Sequence, residues 1–144
     1  MGLSVSRREK EGIAILDLAG SLTAGDAADA LRTTLRETVA AGRNHVVLNL
    51  AEVDYIDSTG LGGMVVCFTT LRKSGGRLVL LNLNRRHLEL LVLTKLSTVF
   101  EIFDDEQNAI NSFFPNRHIR HFDILSFVNQ QRQGDAADGA PDEP

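Results

Sequence analysis

The chain opens with two short apolar runs separated by a charged segment. The runs occupy positions 3–5 and 13–18, and residues 7–12 between them are charged and end in Gly12. Apolar runs bounded by turn residues are typical of a β-hairpin. We therefore predict an N-terminal hairpin in which the charged segment forms the turn.

From residue 24 onward, helical and extended patterns alternate. Apolar residues spaced three to four positions apart predict helices over 24–41, from Ser58 to the Gly75-Gly76 pair, after a cap at Asn84, and after the acidic residues 104–106. Almost continuously apolar runs at 46–50, 77–83 and 100–103 predict buried strands. The order β-β-α-β-α-β-α-β-α predicts an α/β domain with a mixed sheet of about four to five strands and helices mostly on one face.

The pattern changes after Pro115. Residues 118–131 carry a further helical spacing of apolar residues, whereas residues 134–144 are small, acidic and poor in apolar side chains. A segment of the second kind cannot bury enough apolar surface to offset the entropy of ordering. We predict one folded domain over residues 1–116 and, over residues 117–144, an extra helix followed by a disordered tail.

Composition narrows the classes of function. The 144 residues, 43% hydrophobic and 24% charged, suit one soluble domain, and the formal net charge of −4 disfavours nucleic-acid binding. The densest basic cluster, residues 85–87, is interpreted as solvated surface. A single cysteine, the lack of a signal peptide and the lack of an apolar run near the roughly 18 residues of a membrane span predict a cytoplasmic protein without membrane insertion.

The stretch from Asp54 to Gly63 lies between a predicted strand and a predicted helix. Ser58 at the helix start can cap backbone N–H groups, and an anion attached to it would meet those donors and the positive end of the helix dipole. Asp57 is a second candidate, as a turn residue or cap. Three glycines in the first helical turns cost about 1 kcal/mol each relative to Ala. That cost indicates a need for space, either for packing on the sheet or for a docking partner.

The residue spacing in this stretch excludes two more specific interpretations, a dinucleotide-binding site and a hydrolase nucleophile. The glycines lack the G-x-G-x-x-G order of dinucleotide sites, and Ile56 stands where the G-x-S-x-G elbow of hydrolases has its first glycine. Cys67 suits a small core residue, and His118 with His121 has no matching carboxylate or cysteine for a metal. Two other histidines have no partner in the pattern: His45 and His87. We therefore predict no catalytic residue, no metal site and no cofactor.

The segment Asp57-Ser58-Thr59-Gly60-Leu61-Gly62, after the predicted strand at 46–50, resembles the signature of STAS domains. This family includes anti-sigma factor antagonists and the tails of sulphate transporters. The resemblance extends to Gly20-Ser21-Leu22, Gly75-Gly76 and Leu96-Ser97, and it covers residues 1 to about 115.

The resemblance implies a non-enzymatic, monomeric domain that binds a kinase-type anti-sigma factor and frees the sigma factor. Phosphorylation of a serine by that kinase would inactivate the domain, and the matching serine is Ser58. ATP and magnesium would belong to the kinase. The implied partner surface has eight residues: Thr23, Asp57, Ser58, Thr59, Gly60, Leu61, Gly62 and Gly63.

Two alternatives remain open at this point. The chain could be a STAS subunit of a membrane transport complex or signalling scaffold, in which the domain makes a constitutive protein contact. It could also bind a small molecule or nucleotide near Thr23, Asp57 and Ser58, where the sequence offers no phosphate-binding lysine. At Thr23, family members often carry an acidic residue instead.

Overall fold

The computed structural model describes residues 2–119 of the chain. This part contains five strands and four helices in the predicted order, so the predicted α/β fold is confirmed. The elements are β1 (Leu3–Lys10), β2 (Ile13–Leu22), α1 (Asp26–Ala40), β3 (His45–Ile56), α2 (Ser58–Lys73), β4 (Arg77–Leu81), α3 (Arg85–Leu93), β5 (Glu101–Phe103) and α4 (Glu106–Asn111).

The five strands form one mixed sheet in the order β1-β2-β3-β4-β5. β1 runs antiparallel to β2, and the other neighbouring pairs are parallel. The predicted hairpin is confirmed, but its predicted turn is too long, because residues 7–10 pair with β2. Only Glu11 and Gly12 form the turn, both with positive φ, which suits the twist of a two-residue hairpin loop. Charged residues fit the strand because β1 is an exposed edge.

The two faces of the sheet carry cores of different size. Alternate residues of a strand point to opposite faces. Leu16, Leu48 and Leu80 belong to the larger core, which includes buried residues of α1, α2 and α3. The smaller core on the other face contains residues of α4 and is built from eight buried side chains: Ile13, Ile15, Val47, Val79, Leu81, Phe103, Ala109 and Ile110. The helices thus lie mostly on one face, as predicted.

β3 is longer than the sequence pattern predicts. It continues to Ile56 because its second half pairs with β2, where Ser21 lies opposite Tyr55 and Leu22 lies opposite Ile56. The pattern missed this half because its side chains are mostly exposed, with only Val53 and Ile56 buried. The end of β3 therefore brings Asp54, Tyr55 and Ile56, the first three residues of the stretch from Asp54 to Gly63, into the sheet.

The chain beyond α4 returns to the N-terminal hairpin. The guanidinium of Arg117 lies 4.0 Å from the ring centroid of Phe114 and forms an ion pair of 2.7 Å with Glu11. The predicted helix at 118–131 falls outside the described residues except for its first two positions, and the predicted tail at 134–144 lies wholly outside them. Among residues 2–119, no helix is both long and apolar enough to cross a bilayer.

Candidate functional site

The candidate site lies at one edge of the sheet, where the parallel strands end and the following helices begin. β3 ends at Ile56 and α2 begins at Ser58, so Asp57 alone connects them. In open α/β sheets, the carboxyl ends of the strands are the usual place for a binding site, because helix N-termini and loops converge there. The segment predicted from the sequence is therefore at the edge where this architecture provides a site.

Asp57 holds this connection in place. Its Oδ1 accepts a hydrogen bond from the Gly60 N–H at 2.7 Å, and its Oδ2 accepts one from the Ala24 N–H at 3.4 Å. The Asp57 N–H in turn donates to the Leu22 carbonyl at 3.2 Å. The capping residue of α2 is thus Asp57 and not Ser58, because the extended backbone of Asp57 aims its carboxylate at the first helical turn. Asp57 fixes the start of α2 relative to the loop before α1.

Ser58 is the first residue of α2, and its side chain is exposed. Within residues 2–119, its hydroxyl has no hydrogen-bond partner. The first turn of this 16-residue helix carries no acidic side chain. Ser58 thus presents a free hydroxyl at the positive end of a long helix, where an added anion meets unpaired N–H donors rather than a negative neighbour on the helix.

The glycines of α2 serve different purposes. A Cβ on Gly60 would lie 2.0 Å from the Leu22 carbonyl oxygen, so Gly60 allows the start of the helix to approach β2. Gly63 is buried, with its Cβ position 3.9 Å from the Ala28 methyl group on α1. A Cβ on Gly62 would meet nothing within 4 Å, and Gly62 is exposed. Packing within the domain explains why position 60 has no side chain, whereas the missing side chain at Gly62 leaves open space on the surface.

The eight residues implied by the resemblance therefore differ in accessibility. Ser58, Thr59 and Gly62 are exposed. Thr23 and Asp57 are half-buried, and the hydrogen bond from Ala24 to Asp57 brings the Thr23 loop to the start of α2. The remaining three, Gly60, Leu61 and Gly63, are buried.

The sequence pattern did not predict a pocket that lies next to this segment. A cavity of about 270 Å³ lies between the end of β3 and the first turns of α3, and it is lined by Asp54, Tyr55, Ile56, Arg86, His87 and Leu90. His87 is only 3% exposed, so its assignment to a solvated basic cluster is wrong. Neither of its ring nitrogens has a hydrogen-bond partner among the described residues. The sequence signal that could have indicated its burial is the spacing of four residues between His87 and Leu91, which places both on the same face of a helix.

Burial sets the charge of this histidine. Desolvation lowers the pKa of His87, and the nearby Arg86 guanidinium lowers it further. The Asp54 carboxylate acts in the opposite direction with a smaller effect. The imidazole is therefore neutral at pH 7, with one N–H donor and one nitrogen acceptor.

The other candidate groups of the sequence lie elsewhere. Cys67 is buried in the larger core, as predicted, and desolvation raises the pKa of its thiol to about 11. The His45 ring stacks on Phe113 with centroids 5.0 Å apart. His118 is exposed, and His121 is outside the described residues. Among residues 2–119, no three side chains of the metal-binding types come together as a metal site would require.

Comparison with known proteins places these features in a family. The STAS domain model matches residues 4–109. The anti-sigma-B factor antagonist of Bacillus subtilis is 32% identical to the chain over 110 residues, which make up 76% of this chain and 99% of that protein.

Solved structures show the same fold. A candidate anti-sigma factor antagonist from Thermotoga maritima superposes with a TM-score of 0.70 at 26% identity, covering 75% of this chain and 92% of that one. The Bacillus cell fate determinant SpoIIAA in its phosphorylated form superposes with a TM-score of 0.61 at 19% identity, covering 76% and 99%. The arrangement of strands and helices is thus shared well beyond the segment around Ser58.

Proposed function

Because the chain belongs to the STAS domain family, we propose that it is an anti-sigma factor antagonist that binds a kinase-type anti-sigma factor in its unphosphorylated form. Binding releases the sigma factor from its inhibitor. Phosphorylation of Ser58 by the partner then ends the interaction. ATP and magnesium enter with the kinase, and this chain contributes the hydroxyl that is modified.

The observation that carries the proposal is the exposed Ser58 hydroxyl at the first position of α2. A phosphate there adds about −1.5 to −2 charge. The helix N-terminus favours a negative group by roughly 0.3–1 kcal/mol, so the modification is compatible with the fold. The phosphate instead weakens the contact with a partner surface that covers Ser58.

The exposed neighbours support a docking surface at this point. Thr59 and Gly62 lie on the same turns of α2, and the open space around Gly62 lets another backbone approach the helix. A phosphate buried against a surface shaped for a neutral hydroxyl, beside the Asp57 carboxylate, costs on the order of 3–5 kcal/mol. At about 1.4 kcal/mol for each factor of ten, partner affinity falls roughly a hundredfold or more.

The test uses the purified chain and a kinase-type anti-sigma factor from the same genome. Wild type, Ser58→Ala and Ser58→Glu are incubated with the partner, with and without Mg-ATP, and affinity is measured by calorimetry. Ser58→Ala should bind and resist inactivation by ATP, whereas Ser58→Glu should bind weakly with an unchanged circular dichroism spectrum. Thr59→Ala is the matched control, because it removes the neighbouring exposed hydroxyl and should still be inactivated.

Mass spectrometry of the treated proteins locates the phosphate. Phosphate at Ser58 in wild type and in Thr59→Ala agrees with the proposal. Phosphate at another residue, or equal affinity of the modified and unmodified chains, refutes the switch. A constitutive contact, as in a transport complex or a scaffold, would then account for the domain better.

A further inference from the structure

The cavity between β3 and α3 contains two adjacent basic side chains without partners. His87 is buried and has no hydrogen-bond partner at either ring nitrogen. Arg86 is exposed, and among residues 2–119 it makes no ion pair. A buried donor left unpaired in the free chain is costly, since it has given up its hydrogen bonds to water. Together these side chains present one imidazole and one guanidinium to the same pocket.

The chemistry of the pocket selects the kind of group that would complete it. Arg86 offers a charged fork of donors and His87 offers one N–H, a combination that suits a carboxylate. Asp54 also lines the pocket, where its Oδ1 accepts a hydrogen bond of 2.9 Å from the Ser21 hydroxyl, and its electrostatic effect at His87 is smaller than that of Arg86. Ile56 and Leu90 supply apolar walls, which strengthen a hydrogen bond made between them.

The pocket and Ser58 belong to the same edge of the sheet, where β3 ends. The pocket wall is formed by the last three residues of β3, and Ser58 follows two residues after Ile56. Tyr55, which also lines the pocket, has 53% of its surface exposed. Tyrosine and arginine are among the residue types that most often contribute a large share of the binding energy of an interface. Since the pocket and Ser58 are both at the end of β3, one partner surface can cover Ser58 and contact Tyr55.

We propose that the pocket receives an acidic side chain of the anti-sigma factor, whose carboxylate pairs with Arg86 and accepts a hydrogen bond from the His87 imidazole, while Tyr55 packs against the same partner. This proposal rests on the proposed function. It assigns the partner a second contact, on α3, which does not involve the phosphorylated turn. His87 remains unpaired in the free chain and gains its hydrogen bond in the complex.

Affinity and stability of the same variants test this assignment. His87→Leu and Arg86→Ala should each weaken binding of the unphosphorylated chain to the anti-sigma factor about tenfold, or about 1.4 kcal/mol. The double variant should lose clearly less than a hundredfold, because both changes remove the same carboxylate contact. His87→Gln keeps an N–H donor and should bind more tightly than His87→Leu. Leu93→Ala is the control, since it removes a 73% exposed apolar side chain farther along α3 and should bind within twofold of wild type.

A purely structural role for His87 predicts a different set of results. Since His87 is unpaired in the free chain, His87→Leu should unfold at the same or a higher temperature while binding more weakly. Its ¹⁵N imidazole resonances should shift when the partner is added to the wild type. Unchanged affinity of His87→Leu, or a lowered melting temperature that alone accounts for the loss, overturns the proposal. Wild-type affinity of both variants alongside weak binding of Ser58→Glu would overturn the pocket contact and leave the switch standing.

Two other results would also contradict the proposal. If inorganic phosphate shifts the His87 resonances of the free chain, and Arg86→Ala abolishes that shift without altering partner affinity, the pocket holds a small anion instead. If the wild-type chain does not bind the anti-sigma factor, the proposed function fails and this contact fails with it.

Discussion

Gly60 and Gly62 provide a matched pair of substitutions that separates packing from docking. Both lie in the first turns of α2, both are replaced by alanine, and only their surroundings differ. The new Cβ of Gly60→Ala would lie 2.0 Å from the Leu22 carbonyl oxygen and 2.7 Å from its carbonyl carbon. The new Cβ of Gly62→Ala would meet no atom within 4 Å. The two variants should therefore change stability in opposite directions.

The magnitudes follow from two opposing contributions. Alanine in place of glycine inside a helix stabilises by up to about 1 kcal/mol. Overpacking costs about 1–3 kcal/mol, and the upper end applies to Gly60 because its obstacle is backbone. That backbone is held by the pairing of Leu22 with Ile56 and by the hydrogen bond from the Asp57 N–H. Gly60→Ala should lose about 2 kcal/mol net, whereas Gly62→Ala should gain up to about 1 kcal/mol.

Thermal and urea unfolding, followed by circular dichroism, measure this difference. A domain of this size lies between the ranges that give about 2–4 °C and about 4–8 °C for each kcal/mol, so a difference of about 3 kcal/mol should separate the two melting temperatures by about 6 °C or more. Gly62→Ala should also bind the anti-sigma factor more weakly despite its greater stability, because its methyl group occupies the exposed space beside Ser58. Equal stability of the two variants would refute the packing argument for Gly60.

Two further predictions concern Asp57 and His87. Asp57→Ala should lower stability by about 1 kcal/mol through loss of the helix cap, while Asp57→Asn should stay near wild type in urea unfolding, and equal losses would contradict the capping role. Burial and Arg86 lower the pKa of His87 in the folded chain, and Asp54 partly opposes them. As the pH falls through about 6.5, the unfolded chain therefore binds more protons than the folded chain does. Wild type should therefore lose stability between about pH 7 and pH 5 relative to His87→Leu, and parallel urea midpoints over that range would contradict this.

Local patterns were sufficient to predict most of the fold. Helix α3 illustrates this, because its cap at Asn84 and the apolar spacing of Leu88 and Leu91 are short-range features. Each such element can be recognised within a window of about one helix length. The order of elements then limits the topology, because parallel neighbours need right-handed crossovers.

Element ends were less predictable where pairing rather than side-chain pattern decides them. The second half of β3 exposes Glu52, Asp54 and Tyr55, so it lacks an apolar run. It is a strand because β2 supplies hydrogen-bonding partners across a register that shifts between Asp17 and Ala19 and again between Gly20 and Ser21. No local signal in the sequence reports that partner.

Hydrophobic periodicity, caps and glycine pairs act between residues close in the chain, so local sequence was enough to predict the class of fold, the order of its elements and the segment around Ser58. The folded structure was needed to show that Asp57 rather than Ser58 caps α2, since that choice depends on how β2 and β3 end side by side. It was also needed to show that Gly60 serves packing and that His87 is buried in the pocket that Tyr55 lines. These three features depend on distances between residues about 30 or more positions apart in the chain, and such distances exist only after the sheet has formed.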